Sequence, residues 1–189
     1  KLCFVLMPFS EKFDAVYRTL IGPVVTELGL TVVRADELSA PGSIIEQIRV
    51  AIQQARLCVV DLTGNNANVM FELGLAQAGG KPTVLLSQDL SRLPFDVQSQ
   101  RIIKYDGLNP QSSQSQLRVA LKTALSSERL AKAERLFALG HYRAAILEAF
   151  ILLDVGLRQL AARSQNEDLR LDKTKPMGEV MRKLERAKI

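Results

Sequence analysis

The sequence predicts an α/β protein built on a flavodoxin-like, doubly wound parallel sheet of about five strands, followed by a smaller all-α segment. Three observations predict it. From residue 1 to about 105, short β-branched runs alternate with longer segments of helical period. The third and fourth runs are apolar on both faces, as strands covered by helices on both sides are. From about residue 128 the strand signal stops and only helical periodicity remains.

The first strand is "LCFVLM" (2–7), followed by the helical stretch "EKFDAVYRTLIGPVVTEL". "LTVVRA" (30–35) is the second strand, and "GSIIEQIRVAIQQA" the helix after it. "LCVVDL" (57–62) leads to the helix "NVMFELGLAQA"; "PTVLLS" (82–87) and "RIIKY" (101–105) complete the set. Regular strand and helix alternation is how right-handed parallel crossovers are written. The polar patch "NPQSSQSQ" (109–116) precedes the helix "LRVALKTALSS", and its Asn and Ser side chains are expected to cap the first free N–H groups. The boundary is expected near 127, giving an α/β domain over 1–127 and a helical domain over 128–189.

In that helical part the pattern breaks at "LGHY", where Gly140 reads as a helix end and turn. The next helix is apolar nearly all round, with Ile146, Phe150 and Leu153 among its residues, so it is expected to bury itself against a neighbour or a second subunit. A homo-oligomer formed through this segment follows. "SQNEDLRLDKTKP" (164–176) reads as a charged loop and "MGEVMRKLERA" as the start of another helix. With Lys1 first and that helix cut short, the chain reads as a piece of a longer one.

Composition narrows the function classes. At 189 residues, 47% hydrophobic and 24% charged, the chain has the make-up of a soluble globular protein. No apolar run approaches a membrane span, and "KLCFVLMPFSEKFD" reads as a strand and turn rather than a signal peptide, so a cytoplasmic location without membrane association is expected. Cys3 and Cys58 each sit inside an apolar run and behave as small buried hydrophobes. Two cysteines and the single His141 make neither a disulfide framework nor a metal centre, and no cofactor is expected. Residues 128–189 carry 13 Lys+Arg against 9 Asp+Glu, and residues 1–127 carry 12 against 11. So small an excess, mixed in sign along helices, reads as a solvated face rather than a nucleic-acid footprint.

Open parallel sheets bind ligands outside the carboxyl ends of their strands, so the polar residues that follow each strand are the candidates. After the first strand come Pro8, Phe9 and Ser10; after the second, Asp36, Gly42 and Ser43; at the end of the third and beyond, Asp61, Thr63, Gly64, Asn65, Asn66 and Asn68. Gly42 and Ser43 open a helix and suit an anion there, or Ser43 is an N-cap that Glu46 completes as a capping box. "GNNAN" suits ligand contact or Asx turns and capping, and Asp61 suits a ligand hydroxyl or a loop cap. Glu72 stands in the apolar start of the fourth helix, near the mouth, with Phe71 and Leu73 expected on the sheet. A carboxylate buried there costs several kcal/mol unless it is paired or used; the competing reading is an acid that stabilises a helix N-terminus.

These residues carry a resemblance. "FVLMPFS", "VVRADE", "GSIIEQI" and above all "DLTGxNxNVxxELGxAxxxGK" resemble the nucleoside 2-deoxyribosyltransferase-like families, related in fold to TIR domains, over roughly residues 2–105. The resemblance implies Glu72, the acid of the "ELG" element, as the nucleophile at the sugar C1′, with Ser10, Gly42, Ser43 and Asp61 lining sugar and phosphate positions. The ligand it implies is a nucleotide or nucleoside. Cleavage of an N-glycosidic bond passes through an oxocarbenium-like state that a carboxylate can trap or stabilise. The transferases carry an Asp on the helix before the third strand to handle the nucleobase; here that position is Ile48, with Glu46 about half a turn away. Base exchange is therefore not expected, and hydrolysis or plain nucleotide binding is. The "MPF" and "DLTG" variant is similar to bacterial proteins that join such a domain to other modules, often in defence against phage. The helical segment weakly resembles HEPN-type domains, with Arg135 and His141 at an R-x5-H spacing, although the preferred reading there is a hairpin turn with His141 as a cap or core residue.

Overall fold

In the computed structural model of the chain, residues 1–38 and 41–163 are described. The chain falls into two compact units, Lys1–Leu125 and Ser126 onward. The first holds a five-stranded sheet, β1 (Leu2–Leu6), β2 (Thr31–Arg34), β3 (Leu57–Asp61), β4 (Thr83–Ser87) and β5 (Ile102–Lys104), in the order β2-β1-β3-β4-β5. Every neighbouring pair is parallel. This is the flavodoxin-like order, whose switch point lies between β1 and β3.

Side chains alternate across a strand, and the core divides accordingly. Cys3 and Val5 of β1, Leu57 and Val59 of β3, and Val84 and Leu86 of β4 face one layer, made by α1 (Glu11–Val16), α2 (Gly22–Glu27) and the first half of α6 (Gln114–Ala138). Phe4 and Leu6, Cys58 and Val60, and Leu85 face the other, made by α3 (Ile44–Gln54), α4 (Ala67–Ala78) and the short α5 (Phe95–Gln98). All five residues of β3 are buried, as apolar residues on both its faces predict, the terminal Asp61 included. The two cysteines are buried on opposite faces and unbridged.

The first helical stretch is continuous but irregular, with a π-helical turn, Tyr17–Ile21, between α1 and α2. Pro23 explains it. Proline has no N–H to give the carbonyl four residues back, that of Thr19; the Gln114 side-chain amide donates to that carbonyl instead, at 2.7 Å. The widened turn before Pro23 thereby ties α2 to the start of α6.

Two expectations fail around the last strand. The "NPQSSQSQ" patch forms a 3₁₀ turn, Pro110–Ser113, that runs into α6, and Asn109 makes no side-chain cap. Sequence reading also sees no element in the segment 88–100, where α5 forms.

In the second unit, α6 ends in a Schellman turn: Gly140 takes φ +78°, its N–H bonds Phe137 O at 3.0 Å, and the His141 N–H bonds Leu136 O at 2.9 Å. Then α7 (Tyr142–Arg163) begins. Among the described residues of this unit, Ala133 on α6 and Ala145 on α7 are buried, and Glu148 takes Arg129 at 3.1 Å and Lys132 at 2.5 Å. Ile146, Phe150 and Leu153, expected to be covered, are about half or more exposed among the described residues. His141 is exposed and caps through its backbone, its carbonyl accepting from Ala145 N–H at 3.0 Å; it is not a core residue. Arg135 is exposed as well. The proposed loop at 164–176 and the helix after it lie outside the described residues. Among the described residues no helix is long and apolar enough to cross a membrane.

Candidate active site

At the switch point, a cavity of about 380 Å³ opens beside the carboxyl ends of β1 and β3. The chain leaving β1 gives it Met7, Pro8 and Phe9; α3 gives Ile44, Ile45 and Ile48; α4 gives Val69, Phe71, Glu72 and Leu75; Asn66 and Asn68 border it at the start of α4. Among the described residues, Glu72 is the sole titratable side chain in this lining.

Its placement follows from local sequence. After β3 the chain turns sharply, with Gly64 at φ +79° and Asn65 at φ +53°, left-handed conformations that Gly and Asn tolerate best. The Asn65 amide then donates to Arg92 O at 2.5 Å, and Asn66 Oδ1 accepts from the Asn68 and Val69 N–H groups at 3.0 and 3.3 Å, starting α4. On α4, Val69, Leu73 and Ala76 are buried, and Glu72 lies beside this stripe rather than opposite it. Glu72 is only 7% exposed, and among the described residues no hydrogen-bond donor or cation meets it. Burial alone pushes its acid up to about 7 from 4.5. The helix-dipole reading fits poorly, because Glu72 stands beyond the first turn and its pKa is raised.

Of the residues expected in the site, Pro8, Phe9, Asn66, Asn68 and Glu72 line the cavity; Ser10, Asp36, Gly42, Ser43, Asp61, Thr63, Gly64 and Asn65 do not. Asp61 is fully buried and belongs to a separate network. It accepts from Thr63 N–H at 3.0 Å, Thr63 Oγ1 at 2.6 Å and Tyr105 OH at 2.6 Å. Burial raises its pKa, partly offset by those donors. Thr63 in turn accepts from the Gln88 N–H at 3.0 Å, so this cluster locks the loops after β3, β4 and β5 together. Of the two readings of Asp61, the geometry takes the loop cap.

Asp36 is held by Arg34, whose Nε and Nη2 donate to its two oxygens at 2.6 and 2.5 Å, while Arg34 Nη1 reaches Asp14 on α1 at 2.7 Å. That arrangement pins the loop after β2 to α1. Ser10 starts α1 without a side-chain bond, its carbonyl accepting from Phe13 N–H at 2.8 Å. Gly42 takes φ +114°. Ser43 begins α3, but its side chain makes no cap and Glu46 turns to Arg49 at 3.3 Å, so the expected capping box is absent. Gly64 serves the turn described above.

Sequence reading missed the apolar wall. Ile44 and Ile45 look like an ordinary helix face, and only the fold shows that they stand across from α4. Phe71 was expected on the sheet; it is instead 58% exposed and lines the cavity, as Phe9 does at 56%. Ile48 occupies the wall where the resemblance leads one to look for a base-handling acid. The cavity thus offers two aromatic faces, an aliphatic wall, two asparagine amides and one unneutralised carboxyl group. No metal-binding cluster exists among the described residues.

No family model and no curated protein matches the chain. Among solved structures, a 2-deoxyribosyltransferase from the psychrotolerant bacterium Bacillus psychrosaccharolyticus is similar, with a TM-score of 0.46 and 18% identity, over 59% of this chain and 90% of that one.

Proposed function

We propose that the chain hydrolyses the N-glycosidic bond of a nucleoside or nucleotide, NAD and nucleoside phosphates included, with Glu72 as nucleophile or oxocarbenium stabiliser. The observation that carries this reading is a buried carboxyl group, partnerless among the described residues, in a cavity at the switch point of the sheet. Phe9 and Phe71 offer ring faces to a base. Among the described residues the lining contains no cation, so in this reading the cavity takes the base and sugar, and any phosphate projects from its mouth.

In the reaction, an ionised Glu72 oxygen bonds C1′ as the C1′–N bond breaks and its electron pair passes to the base nitrogen. A neutral base takes a proton from water; a pyridinium base departs neutral without one. Water then opens the glycosyl ester and returns the carboxylate. With Ile48 on the wall, the cavity supplies no second acid to protonate an incoming or leaving base, which favours hydrolysis over base exchange. The helical unit, with its exposed Ile146, Phe150 and Leu153, serves self-association in this reading, and bacterial defence or signalling is the setting the motif resemblance implies.

The test is incubation with a panel of nucleosides and nucleotides, NAD included, with products read by mass spectrometry. Release of free base is expected from wild type and not from Glu72→Gln. Intact ligands in wild type contradict it. A second reading, a nucleotide sensor without chemistry, draws on the continuity of α6 from the first unit into the second. It predicts tight calorimetric binding with the nucleotide recovered whole.

A further inference from the structure

A second depression, of about 510 Å³, lies at the carboxyl ends of β4 and β5 and shares no lining residue with the Glu72 cavity. Gln88 follows β4, Lys104 ends β5, and Ser113 comes immediately before α6. Tyr105 fixes one wall: its hydroxyl donates to Asp61 at 2.6 Å and accepts from Gln88 Nε2 at 2.9 Å. That bond orients the Gln88 amide so that its Oε1 lies over Gly107, where an added Cβ would come within 2.4 Å of it. A residue with any side chain at 107 would displace Gln88, so the wall depends on glycine.

Four groups in this depression have capacity for a ligand. Ser113 is mostly buried, its hydroxyl makes no side-chain hydrogen bond among the described residues, and the residue lines the depression, where the hydroxyl can serve a ligand. Lys104 makes no close ion pair or side-chain hydrogen bond among the described residues, although Asp89 feels its charge, and it shares the lining with Ser113 at the start of α6. Asp106 uses one oxygen on Leu108 N–H at 2.9 Å and keeps the other. Gln88 Oε1 is likewise a free acceptor. Ser112 is engaged locally, donating to Asn109 O at 2.7 Å.

A cation and a hydroxyl beside two free acceptors match a molecule that is anionic at one end and hydroxylated at the other. We propose that this depression, between the β4 and β5 ends and the start of α6, binds a sugar phosphate, with the phosphate on Lys104 and Ser113 and the sugar hydroxyls on Asp106 and Gln88. A bare anion would leave Asp106 facing it unfavourably, and an uncharged sugar would leave Lys104 unused.

Calorimetry on the full chain tests this with ribose 5-phosphate, ribose and inorganic phosphate as probes. Ribose 5-phosphate is expected to bind more tightly than either fragment, and Lys104→Gln, at an exposed strand end, to weaken it at least tenfold. Asp106→Asn should weaken ribose 5-phosphate and leave inorganic phosphate unchanged or tighter. Amide NMR signals from Gln88, Lys104 and Ser113 should move on binding, with those around Glu72 still. No binding of ribose 5-phosphate, binding indifferent to Lys104→Gln, inorganic phosphate binding as tightly as the sugar phosphate, or shifts centred on Glu72 would overturn the proposal.

Discussion

Glu72 and Asp61 are both buried acids, and their surroundings give them different work. Asp61 has three donors and holds loops together; Glu72 has none and faces a cavity. Glu72 holds its proton up to about pH 7 in the folded chain, against an ordinary value of 4.5. Below about 4.5 folded and unfolded chains are both protonated there. As pH rises from 4.5 to 7 the unfolded chain gives up its proton first, so this stabilising contribution is lost and is gone above 7. Glu72→Gln stays neutral throughout, and its melting temperature should exceed that of wild type by several degrees at pH 8 while the two converge towards pH 4.5. Equal melting temperatures at pH 8 would show that Glu72 carries no burial penalty. Tyr105→Phe should destabilise the fold by about 1–3 kcal/mol in denaturant titration, because it removes a donor from a fully buried carboxyl group. Glu72 was legible in the sequence because an acid interrupting an apolar helix start after a strand is a local pattern. The role of Asp61 was not, since Tyr105 lies 44 residues away along the chain.

The strands were legible to within a residue or two because β3 and β4 carry apolar residues on both faces, and doubly covered strands leave that mark. Helix starts were legible at α1 and α3 as well as α4, but which side chain makes the cap was not. Asn66 does so for α4, and Asn66→Ala should cost about 1 kcal/mol in thermal or chemical unfolding, with a loss of affinity for any ligand that needs α4 in place. Ser43 and Asn109 have the same residue chemistry and make no side-chain cap, which composition alone cannot distinguish. The short α5 escaped notice because four residues hold too little periodicity to read. The π turn before Pro23 was hidden for another reason: the Gln114 bond that accommodates it reaches across 95 residues.

Across the molecule, the two units divide inside α6, a single helix of 25 residues. Helical period continues straight through the division, so the boundary expected near residue 127 falls inside a helix rather than at a helix end. Self-association through the second unit predicts a mass above that of the monomer in light scattering, and Phe150→Glu, at a half-exposed apolar position, should return it to monomer. A monomeric wild type would set that role aside without touching the chemistry of the first unit. The central claim is that an ionised Glu72 acts on a glycosidic carbon, and the pH dependence of base release tests it most directly. The rate in wild type should rise as pH passes through about 7, and Glu72→Gln should lose on the order of a thousandfold or more at every pH. Base release that Glu72→Gln leaves unchanged, or none from wild type at pH 8, would contradict it.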